Sequence, residues 1–437
     1  MRPLNSMIIY QLSPRSMTPD GTLKAAEKML PHVAALGVDI VYLSPVFCAD
    51  ADDDLTTWSP RQKASATENP KNPYKMADYF HVDEEYGTDE DLKDFVKEAH
   101  RLGLKVLFDL VYLHCGRNAV FLHDHPEYVI CSEDGTPIIG EDWPFARLNF
   151  ESEGLRSYLL CNMQTLLTEF DADGFRCDVG HKVPLDFWQS SFAHLKTIKP
   201  DMITLLEGRP PEYLEEVFDL GYDTRWRRTV VDIFAGESPA AALKEWHDEL
   251  AQTHGRSAKK LIRHIDNHDS ASDCGLDRNE IIMTSRGVEA ALVLCNTIEG
   301  VPFLWNGTEI CDDAENNMFS NRFYGKRSAV NWSRGFTQEG VRRLALVKEL
   351  HDLHHEHKAL TEGELCWVGH SAPDEVISYL RQTTEETVLV VVNGKNRPVS
   401  VSLPDTLRPT QTLLQAGASV CDDALSLAPY GYLVATV

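Results

Sequence analysis

The chain has 437 residues, enough for one large domain of about 250 residues or more plus a smaller one, each with its own core. Its 43% hydrophobic and 9% aromatic content excludes a disordered chain, and no apolar run approaches the roughly 20 residues of a membrane span. A formal net charge of -25 excludes nucleic acid and anionic membrane surfaces as partners, since both repel it over a Debye length, whereas a neutral substrate is indifferent to it.

The N-terminus carries no apolar signal core or small-residue cleavage site, and a first strand begins by Met7. Ten cysteines are scattered singly, without paired spacings, and read as reduced thiols of a cytoplasmic protein. Short β-like runs then alternate with helical patterns. In chain order they are Ile8–Leu12, a helix Leu23–Leu36 stopped by Gly37, Ile40–Leu43, and a helix Glu90–Leu102 with Gly103 as its left-handed cap. The runs Val106–Val111, Gly174–Val179, Ile203–Glu207, a weaker Val217–Tyr222, Leu261–Asn267 and Val301–Trp305 follow. Alternating strands and helices imply parallel strands with right-handed crossovers, so residues 1–357 are expected to form an α/β fold, a (β/α)8 TIM barrel. Residues 114–149, after the third strand, are too long and irregular for a barrel helix and read as a short, loop-like insertion roofing the barrel mouth. Past the helix near Val341–His355 the period changes to two in Val376–Leu380, Val388–Val392, Val399–Leu403 and Tyr432–Val437, with a turn at Asn393-Gly394. Residues 358–437 therefore read as a C-terminal antiparallel β-sandwich domain.

The stretch Asp173–Pro184 holds the first chemical signal, because a strand that buries Phe175 and Cys177 on one face places Arg176 and Asp178 together on the other. Two opposite charges there form either a structural ion pair or a carboxylate kept ionised for catalysis. In a parallel barrel, catalytic groups gather at the C-terminal ends of the strands. Asp109 and His114 follow the third strand, Arg176 and Asp178 the fourth, Glu207 the fifth, and Asn267-His268-Asp269 the seventh. A pair of carboxylates flanking a bond is what glycoside hydrolysis needs, one as nucleophile and one as acid and then base.

These motifs, running in order from Met7 to Trp332, resemble the α-amylase family of glycoside hydrolases and transglycosylases. Gly174-Phe175-Arg176-Cys177-Asp178 resembles its nucleophile strand, Leu205-Leu206-Glu207-Gly208 the strand of its acid/base, and Ile265-Asp266-Asn267-His268-Asp269 its third-carboxylate motif. The resemblance implies catalytic roles for Asp178, Glu207 and Asp269, with Arg176 lowering the pKa of Asp178 and the neighbouring carboxylates raising that of Glu207. It implies sugar contacts by Asp109, His114 and His268, an aromatic platform at Tyr74 in Asn-Pro-Tyr-Lys-Met-Ala-Asp, and acceptor-side contacts by His181 and Lys182, which stand in the reverse of a common family order. The end of the chain, Ala428-Pro429-Tyr430-Gly431-Tyr432, resembles the family's C-terminal domain. Implied is retaining hydrolysis of α-glucosidic bonds in short, maltodextrin-like oligosaccharides. The alternatives are a transglycosylase or isomerase using the same double displacement, or a non-catalytic carbohydrate-binding homologue.

Departures from the family pattern shape two further expectations. Leu113 stands where members commonly have a calcium-binding Asn, so no metal and no cofactor are expected. The roof segment is short for an endo-acting starch enzyme. Among Trp58, Trp143, Phe145 and Trp305, Trp143 on the roof is the expected subsite wall. The acidic run Asp50–Asp54 lacks the features of an EF-hand loop and reads as a charged loop, while His351, His354, His355 and His357 read as the solvated side of a helix.

Overall fold

A computed structural model describes residues 2–140, 143–272, 277–325, 328–404, 406–421 and 424–437. Eight short strands form its centre: β1 (Ile9–Leu12), β2 (Ile40–Leu43), β3 (Lys105–Leu110), β4 (Gly174–Cys177), β5 (Ile203–Leu206), β6 (Leu220–Gly221), β7 (Ile262–Arg263) and β8 (Val301–Trp305). They pair in parallel in the order β6-β5-β4-β3-β2-β1-β8-β7, and a parallel bridge from Gly221 to Leu261 closes the ring. The fold is the expected (β/α)8 barrel. Its seventh strand is shorter than the apolar pattern suggests, because His268 and Asp269 already open a short helix, His268–Ser272.

Alternation along each strand sorts the side chains. Ile9, Ile40, Tyr42, Leu107, Leu205, Ile262 and Phe303 fill the barrel, while Ile8, Val41, Val106, Phe108, Phe175, Cys177 and Leu304 belong to the large core of the outer layer. Two positions after Ile9 and Leu107, the same period turns buried Gln11 and Asp109 inward near the C-terminal rim. In the pairing of β3 with β4, Asp109 lies beside Arg176. Gly174 starts β4 at a φ of +150°, and a Cβ there would stand 1.9 Å from the Ile203 carbonyl oxygen, so only glycine lets β4 approach β5.

Two helical expectations change. The segment from Leu23 forms two short helices, Leu23–Glu27 and Leu30–Ala34, because Pro31 offers no amide hydrogen for a continuous ladder. The histidines of the long helix Gln338–Glu356 are not solvated. His351 and His354 are buried and donate from Nδ1 to the carbonyls of Leu36 (2.7 Å) and Asn296 (3.0 Å). Burial lowers both imidazoles to about 4 and keeps them neutral. His355 pairs with Asp39 at 2.9 Å, so the helix is bolted to the bottom of the barrel.

The C-terminal sheet contains β9 (Glu364–Trp367), β10 (Val376–Gln382), β11 (Thr387–Asn393), β12 (Val399–Val401), β13 (Gln411–Cys421) and β14 (Ala424–Thr436). All its pairings are antiparallel, in the order β9-β10-β11-β14-β12, with β13 along the other side of β14. β14 pairs with β11 through Tyr432–Thr436 and with β12 through Leu425–Leu427, so the sheet turns at Ala428–Gly431 and folds over itself. Leu389, Val391, Val401, Leu427 and Leu433 fill this inner space, while Tyr379, Val388, Val390 and Val434 on the other face join the barrel core. Buried Arg381 donates to the Thr297 carbonyl at 3.0 Å, and the Tyr430 hydroxyl to the Phe234 carbonyl at 2.9 Å.

Gly174→Ala is expected to destabilise the chain by about 3 kcal/mol or more, because the new methyl group meets backbone rather than a movable side chain. The shift of the urea unfolding midpoint measures it, and an unchanged midpoint contradicts the packing described for β4 and β5.

Candidate active site

Arg176 is the floor of the site. It is 1% exposed, and its Nη1 donates to Asp109 Oδ1 at 2.6 Å and to Asp178 Oδ1 at 2.8 Å, while Nη2 lies 2.8 Å from Glu207 Oε2. One guanidinium thus gathers carboxylates from the ends of β3, β4 and β5. Asp109 also accepts from the hydroxyls of Tyr42 (2.5 Å) and Tyr74 (3.0 Å). Asp178 lies one residue past β4, and Val179 beyond it has a φ of +43°, a left-handed conformation costly for a β-branched residue. That turn aims the Val179 amide at Glu207 Oε2, 2.7 Å away.

The charges do not divide as the sequence suggests. Burial pushes the Asp178 carboxyl well above the ordinary range; Arg176 pulls against this, while the charges of Glu207 and Asp109 add to it. Two carboxylates on one guanidinium, out of water, disfavour the second negative charge, and Asp178 carries that cost as a raised pKa. For Asp269, burial also disfavours the charge, but the imidazole of His268 and the guanidinium of Arg61 outweigh it and hold this carboxyl below the ordinary range.

Histidine protonation follows from the partners. His114 is buried, which lowers it to about 4, so it is neutral at pH 7. Its Nε2 lies 2.9 Å from the Tyr74 carbonyl, which can only accept, so Nε2 carries the hydrogen and Nδ1 is an acceptor. For His268, Gln11 fixes the opposite tautomer. Gln11 Oε1 accepts from the His268 amide, so its Nε2 donates to His268 Nδ1 at 2.8 Å and leaves the imidazole hydrogen on Nε2, 3.5 Å from Asp269 Oδ2. The rings of His268 and Tyr74 stack, with centroids 5.2 Å apart.

Above the floor lies a hollow of about 200 Å³. Of the residues singled out in the sequence, Tyr74, His114, Trp143, Asp178, Glu207, His268 and Asp269 line it. Asp109 and Arg176 lie beneath. His181 lines an adjoining hollow that also touches Glu207, and donates from Nδ1 to the Glu207 carbonyl at 2.8 Å. Lys182 lines neither; its ammonium stands 5.3 Å from the centre of the Trp143 ring. Phe145 lines the hollow beside Trp143, while Trp58 and Trp305 are core residues. Val179 and Asn72, the latter from the Asn-Pro-Tyr motif, also line the hollow, and Ser59, Arg61, Met318 and Phe319, which carry no motif-level signal, complete the wall. Arg61 donates from Nη1 to Asp269 Oδ1 at 2.7 Å, a pair 208 positions apart in the chain.

With this geometry, comparison with known proteins is specific. The profile of the alpha amylase catalytic domain matches residues 9–134, and that of the maltogenic amylase C-terminal domain matches residues 369–434. Over these two segments the chain is similar to the α-amylase family. A maltogenic alpha-amylase of Bacillus acidopullulyticus is 25% identical over 88% of the chain and 64% of its own length. A cyclomaltodextrinase of Geobacillus thermopakistaniensis is 24% identical over 95% of the chain and 70% of its own length. The chain thus spans about two thirds of the length of these curated relatives. A solved maltogenic alpha-amylase of Thermotoga neapolitana shares the fold with a TM-score of 0.79, covering 99% of this chain and 97% of that one at 24% identity.

The calcium site that the family resemblance brings to mind does not fit these residues. Leu113 is apolar and buried, and the carbonyl of His114 accepts the Tyr79 hydroxyl at 3.2 Å. The acidic run Asp50–Asp54, expected as a charged loop, is instead partly internal and contains an ammonium. Lys75, 1% exposed, lies 3.0 Å from Asp52 Oδ2, 2.8 Å from Thr57 Oγ1 and 3.9 Å from Asp50 Oδ2. Burial disfavours the Asp52 charge, but bonds from Thr57 and Lys75 outweigh it and hold the carboxyl at about 2. Lys75 follows Tyr74 in the strand Lys71–Met76, so this pairing also anchors the ring beside the hollow.

Lys75→Met is expected to destabilise the chain by about 3 kcal/mol, because it removes the buried cation between Asp50 and Asp52 and leaves Asp52 only the half-exposed Arg117, whose Nη2 lies 2.5 Å from its Oδ1. A thermal or urea unfolding curve measures the loss; retention of full stability sinks the assignment of Lys75 as their counterion.

Proposed function

We propose that this chain is an α-amylase family enzyme, a retaining glycosidase that hydrolyses α-glucosidic bonds of short, maltodextrin-like oligosaccharides. The observation carrying the proposal is the single guanidinium of Arg176 bonded to both Asp178 and Glu207 beneath a sugar-sized hollow. A span set by one planar group suits the roughly 5–5.5 Å between carboxyls of retaining enzymes better than the roughly 6.5–9.5 Å of inverting ones. The names of the relatives, maltogenic alpha-amylase and cyclomaltodextrinase, support an α-linked glucan as substrate. The buried, unpaired thiols of Cys115, Cys177, Cys295 and Cys311 support a reducing, cytoplasmic setting.

In the first step a carboxylate oxygen of Asp178 bonds to the anomeric carbon, and the bond from that carbon to the leaving oxygen breaks. Glu207 gives its proton to the leaving oxygen. Both Glu207 bonds described above fall on Oε2, which leaves Oε1 to face the leaving oxygen. In the second step Glu207 takes a proton from water, the water oxygen bonds to the anomeric carbon, and the ester to Asp178 breaks. Positive charge developing on the sugar faces Asp269 and the ring of Tyr74. His114 Nδ1 and His268 Nε2–H offer one acceptor and one donor to the sugar hydroxyls.

Product analysis on maltose, isomaltose, sucrose, trehalose, maltotriose and starch tests the proposal. Wild type is expected to release glucose or maltose with retained anomeric configuration, and Asp178→Asn to lower the rate by roughly 10^4-fold or more. Inversion, or inertness of wild type across the panel, overturns it. A pH profile gives a second check. The acid limb of kcat/KM follows Asp178, which must be ionised to attack, and the charge of Asp109 is among the influences raising it. Asp109→Asn should therefore shift that limb to lower pH; a limb that stays in place or rises assigns control to another group.

A further inference from the structure

Glu207 fixes the direction of the hollow. Its carboxyl must reach the leaving oxygen, and it lines both the catalytic hollow and an adjoining one of about 500 Å³ with His181, Gly208 and Arg209. The leaving sugar therefore departs past Glu207, and the sugar retained on the enzyme lies over Tyr74, His268 and Asp269. Arg61 lines the catalytic hollow but not the adjoining one. It grips Asp269 twice, from Nη1 to the carboxylate at 2.7 Å and from Nη2 to the backbone carbonyl at 3.1 Å.

The wall carrying Arg61 is built rather than incidental. Its helical turn, Pro60–Ala64, is capped by the Ser59 hydroxyl. Gln62 beside it is fully buried and donates from Nε2 to the carbonyls of Asn69 (2.9 Å) and Pro70 (3.3 Å). Asn69, also fully buried, donates from Nδ2 to the Phe319 carbonyl at 2.8 Å. The segment 59–70 is thus tied to itself and to the distant Phe319 in one partition. Beyond it lies another hollow of about 600 Å³, lined by Asn69, Pro70, Lys71, Asn321, Phe323 and Tyr324 among others, with Phe323 66% exposed. Asn69 and Pro70 line this outer hollow, while Arg61, Asn72 and Phe319 line the catalytic one.

We propose that Arg61 is a specificity-determining residue that closes the non-reducing end of the hollow behind Asp269, so that one glucosyl unit fits on that side of the cleaved bond and glucose is removed stepwise. The inference rests on the glycosidase reading above and adds a chain-length limit to it. The partition explains why an open, aromatic-lined hollow lies close to the catalytic one without forming a continuous groove with it.

The test compares 4-nitrophenyl α-glucoside with 4-nitrophenyl α-maltoside on the full chain, alongside the first product released from maltotriose. Wild type is expected to cleave the glucoside directly and to release glucose first. Arg61→Ala should raise the ratio of direct cleavage of maltoside to glucoside by roughly tenfold or more, with maltose joining the early products, and Arg61→Lys should fall between the two. Because the readout is a ratio measured on one preparation, a partly unfolded variant does not distort it. Wild type that releases maltose first, or an unchanged ratio in Arg61→Ala, overturns the role of Arg61 while leaving the glycosidase reading intact. Wild type that cleaves none of these compounds overturns both.

Discussion

The site depends on burying one arginine along the axis of a closed barrel. An isolated guanidinium in that position is prohibitively costly, and three carboxylates gathered without it would repel one another out of water. Each solves the other's problem. Arg176 is bonded to Asp109, Asp178 and Glu207 and ringed by Tyr42, Tyr74 and Tyr222, whose ring centres lie 5.7, 5.8 and 5.7 Å from its carbon. Those rings exclude water while their electron-rich faces favour the cation. The surplus of negative charge remains and, with burial, raises the Asp178 carboxyl. That surplus is useful, since the chemistry needs one acid and one base in the same few ångströms.

The closed ring of strands makes this possible because its period of two turns alternate residues inward on every strand. That feature was legible in the sequence, where Arg176 and Asp178 share a face of a strand otherwise read as buried; the structure adds that Asp109 lies beside Arg176 in the register of β3 and β4. The strands, the roof segment and the change of period before the C-terminal sheet could be read for the same reason, since each is a local pattern. What escaped the reading is non-local. Arg61 sits in a Ser-Pro-Arg turn with nothing to connect it to Asp269. The direction of the Asp178 shift depends on how deeply the carboxyl is buried, which no spacing reveals. His351 and His354 have the spacing of a polar helix side, and only the packing of that helix on the barrel makes them internal. Val179 adopts a conformation that β-branched residues avoid, so propensity points away from it.

The same division of labour recurs around the hollow. Lys75 stands among Asp50 and Asp52 while its ammonium lies 5.9 Å from the centre of the Phe145 ring. Lys182 stands over Trp143, and Arg61 holds Asp269. The catalytic floor and the wall are therefore each tied by a cation supplied from a different segment. Such ties add to the packing of a roof whose Phe121, Tyr128, Val129 and Leu148 are buried in the core and whose ladder, His114–Cys115 with Ala146–Arg147, is only two residues long.

The cations around the hollow each stand against a carboxylate or an aromatic ring. A cation left unpaired in the hollow would favour the ionised form of every carboxyl around it. Arg176 and Lys75 are bonded to carboxylates before any sugar arrives, and Arg61 is bonded to Asp269. The field in the hollow is thus set by side chains already in place, and binding a neutral sugar does not have to reorganise it. Preorganisation of this kind lets the developing positive charge on the sugar, rather than the substrate itself, meet the strongest electrostatic attraction in the site.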